Sequence, residues 1–398
     1  MASARIVVAG ASMGGLRAAE RLRACGFTGE IVVIGDERHP PYNRPPLSKE
    51  ALASEVTHAA VAFRMRRSVA DVTWRLGVPV AGADLAARTL RLADGTELAY
   101  DGLVAAAGVR PRRLPVPGPV AGRHVVRTLD DAVALRAALR PGAEVLIIGA
   151  GFIGCEVAAT ATGLGARVTV VAPEAAPMLR PLGEVLAAAL RRRHEEHGVR
   201  FLLGRTVRRF LGEETATGVE LSDATVVHAD VIVEAVGSVP NTEWLAGNGL
   251  DLSDGVLCDN AMRAAPGLVA VGDVARFPNP RYDGVPRRVE HWSVPTDTAR
   301  RAAVTLLADL GLADPDPAPF TPLPSFWSDQ YDLRVQSFGA PGLGARDVRI
   351  LEGEPDGEVV AGYHRDGALV GVVMIGMAAA VPRYRSLLLD ASRLDPVT

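Results

Sequence analysis

Lysine is almost missing from this sequence. Of its 43 lysine and arginine residues all but one are arginine, and Lys49 stands alone. A composition that uses arginine everywhere else implies pressure against lysine. The surviving position is expected where a planar guanidinium cannot serve and a compact ammonium can, chance survival being the alternative. Cysteine is scarce too. Cys25, Cys155 and Cys258 are widely separated and have no C-x-x-C or metal-ligand spacing, which excludes a disulfide framework and a redox dithiol. Aromatic residues make up only 5% while Ala, Val, Gly and Leu abound, which favours α/β packing over a β-sandwich. The formal net charge of −3 is too small to imply nucleic acid or an anionic membrane surface as partner. No run of about 18 apolar residues occurs, so no membrane span is expected. The N-terminus lacks the charged, apolar and cleavage regions of a signal peptide, and a cytoplasmic protein is the expectation. The length of 398 residues suits roughly two to three domains.

What is there centres on Pro40-Pro41-Tyr42-Asn43-Arg44-Pro45-Pro46-Leu47-Ser48-Lys49-Glu50. Four prolines and an aromatic ring stiffen the approach to a short Leu-Ser-Lys turn. Such a loop holds a reactive group in place rather than merely connecting elements.

In chain order, residues 6–9 read as a buried strand, followed by Gly10-Ala11-Ser12-Met13-Gly14-Gly15 and an apolar-periodic helix to about Cys25. A second strand, 31–34, ends at Gly35-Asp36-Glu37. This βαβ pattern lets a pyrophosphate meet backbone N–H groups at a helix N-terminus while the acid accepts from a ribose hydroxyl; a plain structural turn is the alternative. Ser12 departs from the pattern, standing where a glycine normally lets backbone and phosphate touch. Later the pattern recurs as strand 144–148, the full G-x-G-x-x-G of Gly149-Ala150-Gly151-Phe152-Ile153-Gly154, a helix through Glu156, and strand 167–171. Two dinucleotide folds imply two dinucleotides, and electron transfer is the simplest chemistry between them. Ala172 occupies the second copy's acid position, with Glu174 two residues on, and loss of the acid relaxes or reverses the preference for a free 2′-hydroxyl.

Between the copies, residues 89–100 read as a hairpin around Asp94-Gly95 and 103–107 as a buried strand; the proline-rich 111–119 is a domain crossover. A helix over 182–197 carries His194 and His197 beside a run of arginines, read as a solvated face rather than a metal site. After a hairpin at Ser222-Asp223 and a strand over 231–236, Gly237-Ser238-Val239-Pro240-Asn241 echoes Gly108-Val109-Arg110-Pro111 and marks the return crossover. Strand 268–271 ends in Gly272-Asp273, and Asp273 is expected either to cap a helix or to bind sugar hydroxyls. Residues 312–324 read as a linker to a small α+β unit.

The segments Pro41-Tyr42-Asn43-Arg44-Pro45-Pro46-Leu47-Ser48-Lys49, GAGFIGCE from Gly149 to Glu156, Val271-Gly272-Asp273-Val274-Ala275-Arg276-Phe277, Glu290-His291-Trp292 and Phe326-Trp327-Ser328-Asp329-Gln330-Tyr331 occur in this order. Together they make the chain, over essentially its whole length, resemble the FAD-dependent ferredoxin reductases of bacterial oxygenase systems, within the glutathione-reductase-like flavoproteins. The resemblance implies an α/β fold of two Rossmann-like domains plus a small C-terminal α+β domain. An FAD domain would span 1–110 and 240–315, an NAD(P)H domain 111–239 and the C-terminal domain 316–398. It implies FAD at Gly10, Ser12, Gly14 and Gly15, with Asp36 or Glu37 at the ribose, Val80 and Arg127 at the adenine and crossover regions, and Arg44 and Lys49 at the flavin side. Asp273 would meet the ribityl chain and Trp292 with Val294 the isoalloxazine. NADH or NADPH would lie at Gly149, Gly151 and Gly154, with Gly237 also at the cofactors, and Glu156 would pair with Lys49 beside the flavin. Trp292 and Trp327 as packing aromatics, and Glu156 as a surface residue, are the plainer alternatives.

The implied activity is hydride transfer from NAD(P)H to FAD and then single-electron delivery to an iron-sulfur ferredoxin. That ferredoxin would serve a haem-thiolate or Rieske-type oxygenase, and NADH is the favoured donor by resemblance. Lys49 would stabilise charge near the flavin. Because no dithiol is present, electrons must leave by another route; an external one-electron acceptor fits, and arginines at the flavin edge would attract an acidic ferredoxin. The competing readings are a relative with another acceptor, such as dioxygen, a quinone or a small metabolite, and a redox-sensing binding protein resembling the apoptosis-inducing-factor flavoproteins.

Overall fold

Short runs of β-branched residues flanked by glycine, such as Ile6-Val7-Val8 and Ile31-Val32-Val33, build strands buried on both faces. A computed structural model of the chain describes residues 4–391. By contact density the chain separates into two units: one of residues 4–43, His58–Arg110 and Val239–Pro324, the other of Arg44–Thr57, Pro111–Ser238 and residues 325–391.

In the first unit a six-stranded sheet runs in the order Arg263–Ala265, Leu268–Ala270, Gly102–Ala105, Arg5–Ala9, Glu30–Ile34, Thr73–Arg75. Its strands are parallel except for Arg263–Ala265 at one edge. Helix Met13–Ala24 follows the first strand, and helix Val294–Asp309 packs with it on the apolar core. Antiparallel strands Val80–Asp84, Thr89–Leu92 and Glu97–Ala99 contain the hairpin expected at Asp94-Gly95.

The second unit repeats the plan with a five-stranded parallel sheet, in the order Arg200–Leu203, Arg167–Ala172, Glu144–Ile148, Val231–Glu234, Arg123–His124. Helix Leu129–Ala138 starts in a capping box, Thr128 accepting from the Asp131 N–H and Asp131 accepting from the Thr128 N–H. The C-terminal part is a five-stranded antiparallel sheet of Ser325–Gln330, Leu333–Gly339, Ala368–Ile375, Val359–Arg365 and Val348–Gly353, with helix Val381–Ala391.

Two sequence expectations are corrected. The helix expected over 182–197 is Leu179–Glu196, interrupted at Gly183 with φ 70°, and its His194 is not on a solvated face. His194 is 0% exposed. Leu182, Leu186 and Leu190 form an apolar stripe at i, i+4 spacing that continues to His194, and the C-terminal sheet covers that stripe through Phe326, Val335 and Tyr363. Burial holds the His194 imidazole below its ordinary pKa, while His197 is exposed as expected. Second, no helix begins at Asp273. Gly272, with φ 77°, opens a single 3₁₀ turn, Gly272–Val274, and the chain goes directly into strand Ala275–Phe277. The helix-cap reading of Asp273 therefore falls.

Candidate active site

Proline's fixed φ suits the first turn of a helix, and Pro45 and Pro46 open the 3₁₀ turn Pro45–Ser48. Lys49 follows with φ −127° and ψ −103°, and helix Glu50–Ala53 starts at the next residue. The turn is docked by Thr160, whose Oγ1 donates to the Ser48 carbonyl at 2.9 Å from helix Phe152–Gly163. The same helix carries Glu156, whose Oε2 lies 2.7 Å from Lys49 Nζ. Ser48 Oγ donates to that oxygen at 2.5 Å, and Ser328 Oγ donates to Oε1 at 2.7 Å. Lys49 Nζ donates further to the Pro45 carbonyl at 3.0 Å.

The surface alternative for Glu156 does not hold, because its side chain is 5% exposed and that of Lys49 12%. An ion pair taken out of water is tolerable only when both partners' remaining hydrogen-bonding capacity is met, as it is here. The chain's one ammonium is held against a carboxylate that already accepts from two hydroxyls.

The two glycine turns share one geometry. Gly10 and Gly149 have φ of 129° and 107°, and a Cβ on either would meet a carbonyl oxygen, of Ala106 at 2.0 Å or Ala235 at 2.2 Å. A Cβ on Gly15 would lie 1.9 Å from the Gly10 oxygen, and one on Gly154 2.0 Å from the Gly149 oxygen. The outer glycines thus close the turn and seat the helix against the strand. The middle position differs. Gly151 has nothing within 4 Å, open space into which a phosphate can come against backbone N–H groups, whereas Ser12 puts a small side chain there. Both helix N-termini suit a dinucleotide pyrophosphate.

Residues 4–299 match the pyridine nucleotide-disulphide oxidoreductase family. The chain belongs to it. Residues 325–398 of this oxidoreductase match the reductase C-terminal family. It is 37% identical over 411 residues to the anthranilate 1,2-dioxygenase system ferredoxin–NAD(+) reductase component of Burkholderia cepacia, covering 100% of this chain and 97% of that one. It is 36% identical to rhodocoxin reductase of Rhodococcus erythropolis, covering 98% and 91%. Among solved structures, the ferredoxin reductase for the CYP199A2 system from Rhodopseudomonas palustris matches with TM-score 0.89 at 34% identity, covering 97% and 95%. The covalent putidaredoxin reductase–putidaredoxin complex matches with TM-score 0.90 at 29% identity, covering 98% and 94%. The oxidoreductase thus belongs with the FAD- and NAD(P)-dependent ferredoxin reductases of oxygenase systems.

The remaining sequence-derived residues fall as follows. In the first unit, the Glu37 carboxylate accepts from the Tyr42 hydroxyl, and Asp36 is exposed. Val80 opens a strand of the small antiparallel sheet. Trp292 is 41% exposed and donates from Nε1 to Asn43 Oδ1 at 2.9 Å, and Val294 is buried at the start of its helix. In the second unit, Arg44 donates to the Arg127 carbonyl. Gly237, with φ 97°, has open space where a side chain would be. Ala172 is buried at its strand end, and Glu174 sits 3.5 Å from Arg180. All three cysteines are free thiols, and burial raises those of Cys155 and Cys258, the latter to about 12.

The sequence reading missed Ser48 and Ser328 as partners of Glu156. The signal for Ser328 was present. In Ser325–Gln330 the burial alternates, so Phe326, Ser328 and Gln330 share the inward face of the strand, and two polar residues on a buried face require partners.

Proposed function

We propose that this protein is the reductase component of an oxygenase system, taking a hydride from NADH or NADPH and passing electrons singly to an iron-sulfur ferredoxin. The observation that carries the proposal is the pair of glycine turns with one geometry in one chain, each closed by a glycine against a glycine carbonyl. FAD, when bound, supplies the exchange between two-electron and one-electron chemistry.

The chain's own residues bind, orient and balance charge. The first turn, with Gly10, Ser12, Gly14 and Gly15, is proposed to hold the FAD pyrophosphate, Asp36 the adenosine ribose, and Asp273 a hydroxyl of the ribityl chain. Arg44, Val80, Arg127, Gly237, Trp292 and Val294 are assigned to the cofactors by resemblance. The second turn is proposed to hold NAD(P)H. Glu156, two residues past Gly154, would then lie close to where that coenzyme enters. Lys49 is a fixed positive charge beside it and favours the form of the reactants in which negative charge is arriving.

With no vicinal thiols, this chain is proposed to pass electrons to an external partner rather than through a dithiol. NADH is taken as the donor in keeping with the relatives' names, and a cytoplasmic setting is proposed with it. No helix among the described residues is long and apolar enough to cross a membrane. Anaerobic stopped-flow absorbance of the flavin tests the proposal. Bleaching by NADH or NADPH, followed by recovery on adding an oxidised bacterial ferredoxin, is expected. Bleaching without recovery across a panel of ferredoxins would overturn the assigned acceptor.

A further inference from the structure

We propose that Gln330 and His194 are positioning residues for Glu156, acting through Ser328 at the inner end of a one-directional chain of hydrogen bonds that starts at Tyr331. The proposal rests on the roles given above to Lys49 and Glu156. Every link lies within the second unit and is within hydrogen-bonding distance. Ser328 Oγ is 2.7 Å from Glu156 Oε1, Gln330 Nε2 2.9 Å from Ser328 Oγ, His194 Nε2 2.7 Å from Gln330 Oε1, and the Tyr331 hydroxyl 3.3 Å from His194 Nδ1. Ser328, Gln330 and His194 are each 0% exposed, so bulk water does not compete for their hydrogen bonds.

The direction follows from the Lys49–Glu156 ion pair. A carboxylate only accepts, so Ser328 must donate to it and is left to accept from Gln330. Gln330 must therefore turn its amide nitrogen towards Ser328 and its oxygen towards His194. That oxygen demands an N–H from His194 Nε2, which leaves Nδ1 bare as an acceptor facing the Tyr331 hydroxyl, a group that also hydrogen-bonds the Thr162 side chain. One charge fixes an amide orientation and an imidazole tautomer. The second amide N–H also has an acceptor, Met178 Sδ at 3.3 Å, and Met178 N donates to the Ala150 carbonyl inside the second glycine turn.

The outer end is held under strain. Tyr331 has φ 56°, a left-handed conformation that bulky residues rarely adopt, in the two-residue turn between Gln330 and Leu333. It is kept there by ring contacts: stacked on His197 with centroids 3.8 Å apart, and edge-on to His194 at 5.1 Å. Burial raises the Tyr331 phenol to about 12, so it remains a donor at neutral pH.

An amide in the middle of the chain does not hand on protons, because its N–H is not exchanged for one on its oxygen without an imidic acid. The chain therefore orients rather than conducts. Its effect is to keep Glu156 with one oxygen on Ser328 and the other on Lys49 and Ser48, so that the ammonium stays in place.

The sole lysine makes this measurable apart from turnover. Full-length, FAD-loaded protein labelled with [13Cε]lysine has a single side-chain resonance, that of Lys49. Gln330→Glu cannot donate to Ser328, and His194→Leu cannot donate to Gln330, whereas His194→Gln keeps an N–H donor. We expect the first two to shift the Lys49 resonance and to slow flavin reduction by about tenfold or more with the KM for NADH retained, and His194→Gln to restore both readouts. If Gln330→Glu does not retain FAD, the two His194 variants decide alone. A Lys49 resonance and reduction rate unchanged in His194→Leu would overturn the proposal. Wild-type protein that neither NADH nor NADPH reduces, with a resonance that still moves in the variants, would instead sink the catalytic reading and leave the positioning chain standing.

Discussion

Lys49 Nζ stands 2.7 Å from Glu156 Oε2, and the two side chains are almost wholly removed from water. A lone lysine in an arginine-rich chain thus meets a carboxylate on the helix that follows the second glycine turn. An ammonium fits there because Ser48 Oγ and the Pro45 carbonyl crowd the same volume, and a planar five-donor guanidinium would need acceptors in a fork that this pocket does not present.

Substitution at Lys49 separates charge from shape. Lys49→Arg should retain FAD yet slow flavin reduction by NADH by about tenfold to a hundredfold, through misplacement of the cation. Lys49→Met should also lower stability by about 3 kcal/mol, because it leaves a buried carboxylate unpaired. Stopped-flow reduction and urea unfolding measure the two effects. An unchanged reduction rate in Lys49→Arg would return the single lysine to chance.

The middle glycine of the second turn and the last one should behave oppositely. Gly154→Ala places a methyl 2.0 Å from the Gly149 carbonyl oxygen and should destabilise the unit, read as a lowered Tm. Gly151→Ala meets nothing within 4 Å and should leave Tm unchanged, while raising the KM for the coenzyme on the order of tenfold if the open space is the phosphate's. Equal KM values in wild type and Gly151→Ala would place the phosphate elsewhere.

Coenzyme choice should turn on the end of strand Arg167–Ala172. Ala172→Glu restores an acceptor for a ribose hydroxyl and should raise the NADH-to-NADPH ratio of kcat/KM on the order of tenfold. Tm is recorded alongside because Ala172 is buried. A ratio that does not move would show that residue 172 does not face the ribose.

A second buried ion pair should contribute to stability in acid. Glu234 accepts from Arg123 at 2.7 Å and from Arg113 at 2.9 Å, and its side chain is 0% exposed. Burial pushes its carboxyl up, but the guanidinium hydrogen bonds and the Leu114 N–H outweigh it and hold the group below the ordinary 4.5. A depressed carboxyl contributes stability above its unfolded value and loses it as pH falls through its folded value. Urea midpoints should therefore drop as pH is lowered from 4.5, and Glu234→Gln should flatten that dependence. Glu234→Ala should cost about 3–5 kcal/mol at neutral pH by stranding Arg123. A variant as acid-sensitive as wild type would assign the dependence to other carboxylates.

Both dinucleotide folds, the hairpins at Asp94-Gly95 and Ser222-Asp223 and the glycine turns could be read directly from the residues. Each rests on a local pattern, a β-branched run, a glycine where φ is positive, an apolar repeat, and such patterns act over a few neighbouring residues. Lys49 was singled out by composition, while its pairing with Glu156 came from resemblance. Asp273 misled because an acid after a strand can precede a helix or a 3₁₀ turn, and the choice lies in Gly272 and the strand beyond.

His194 misled for a longer-range reason. Arginines surround it in sequence, yet it continues the leucine stripe of its helix, and the strands that cover the stripe are contributed by residues past 325. The line from Tyr331 through His194, Gln330 and Ser328 to Glu156 and Lys49 draws on four separate stretches of chain. Local sequence dictates where strands, turns and helices form, because those obey short-range sterics and periodicity. Which polar groups are buried together, and which donor faces which acceptor, follows from packing between distant segments and exists only in the folded chain.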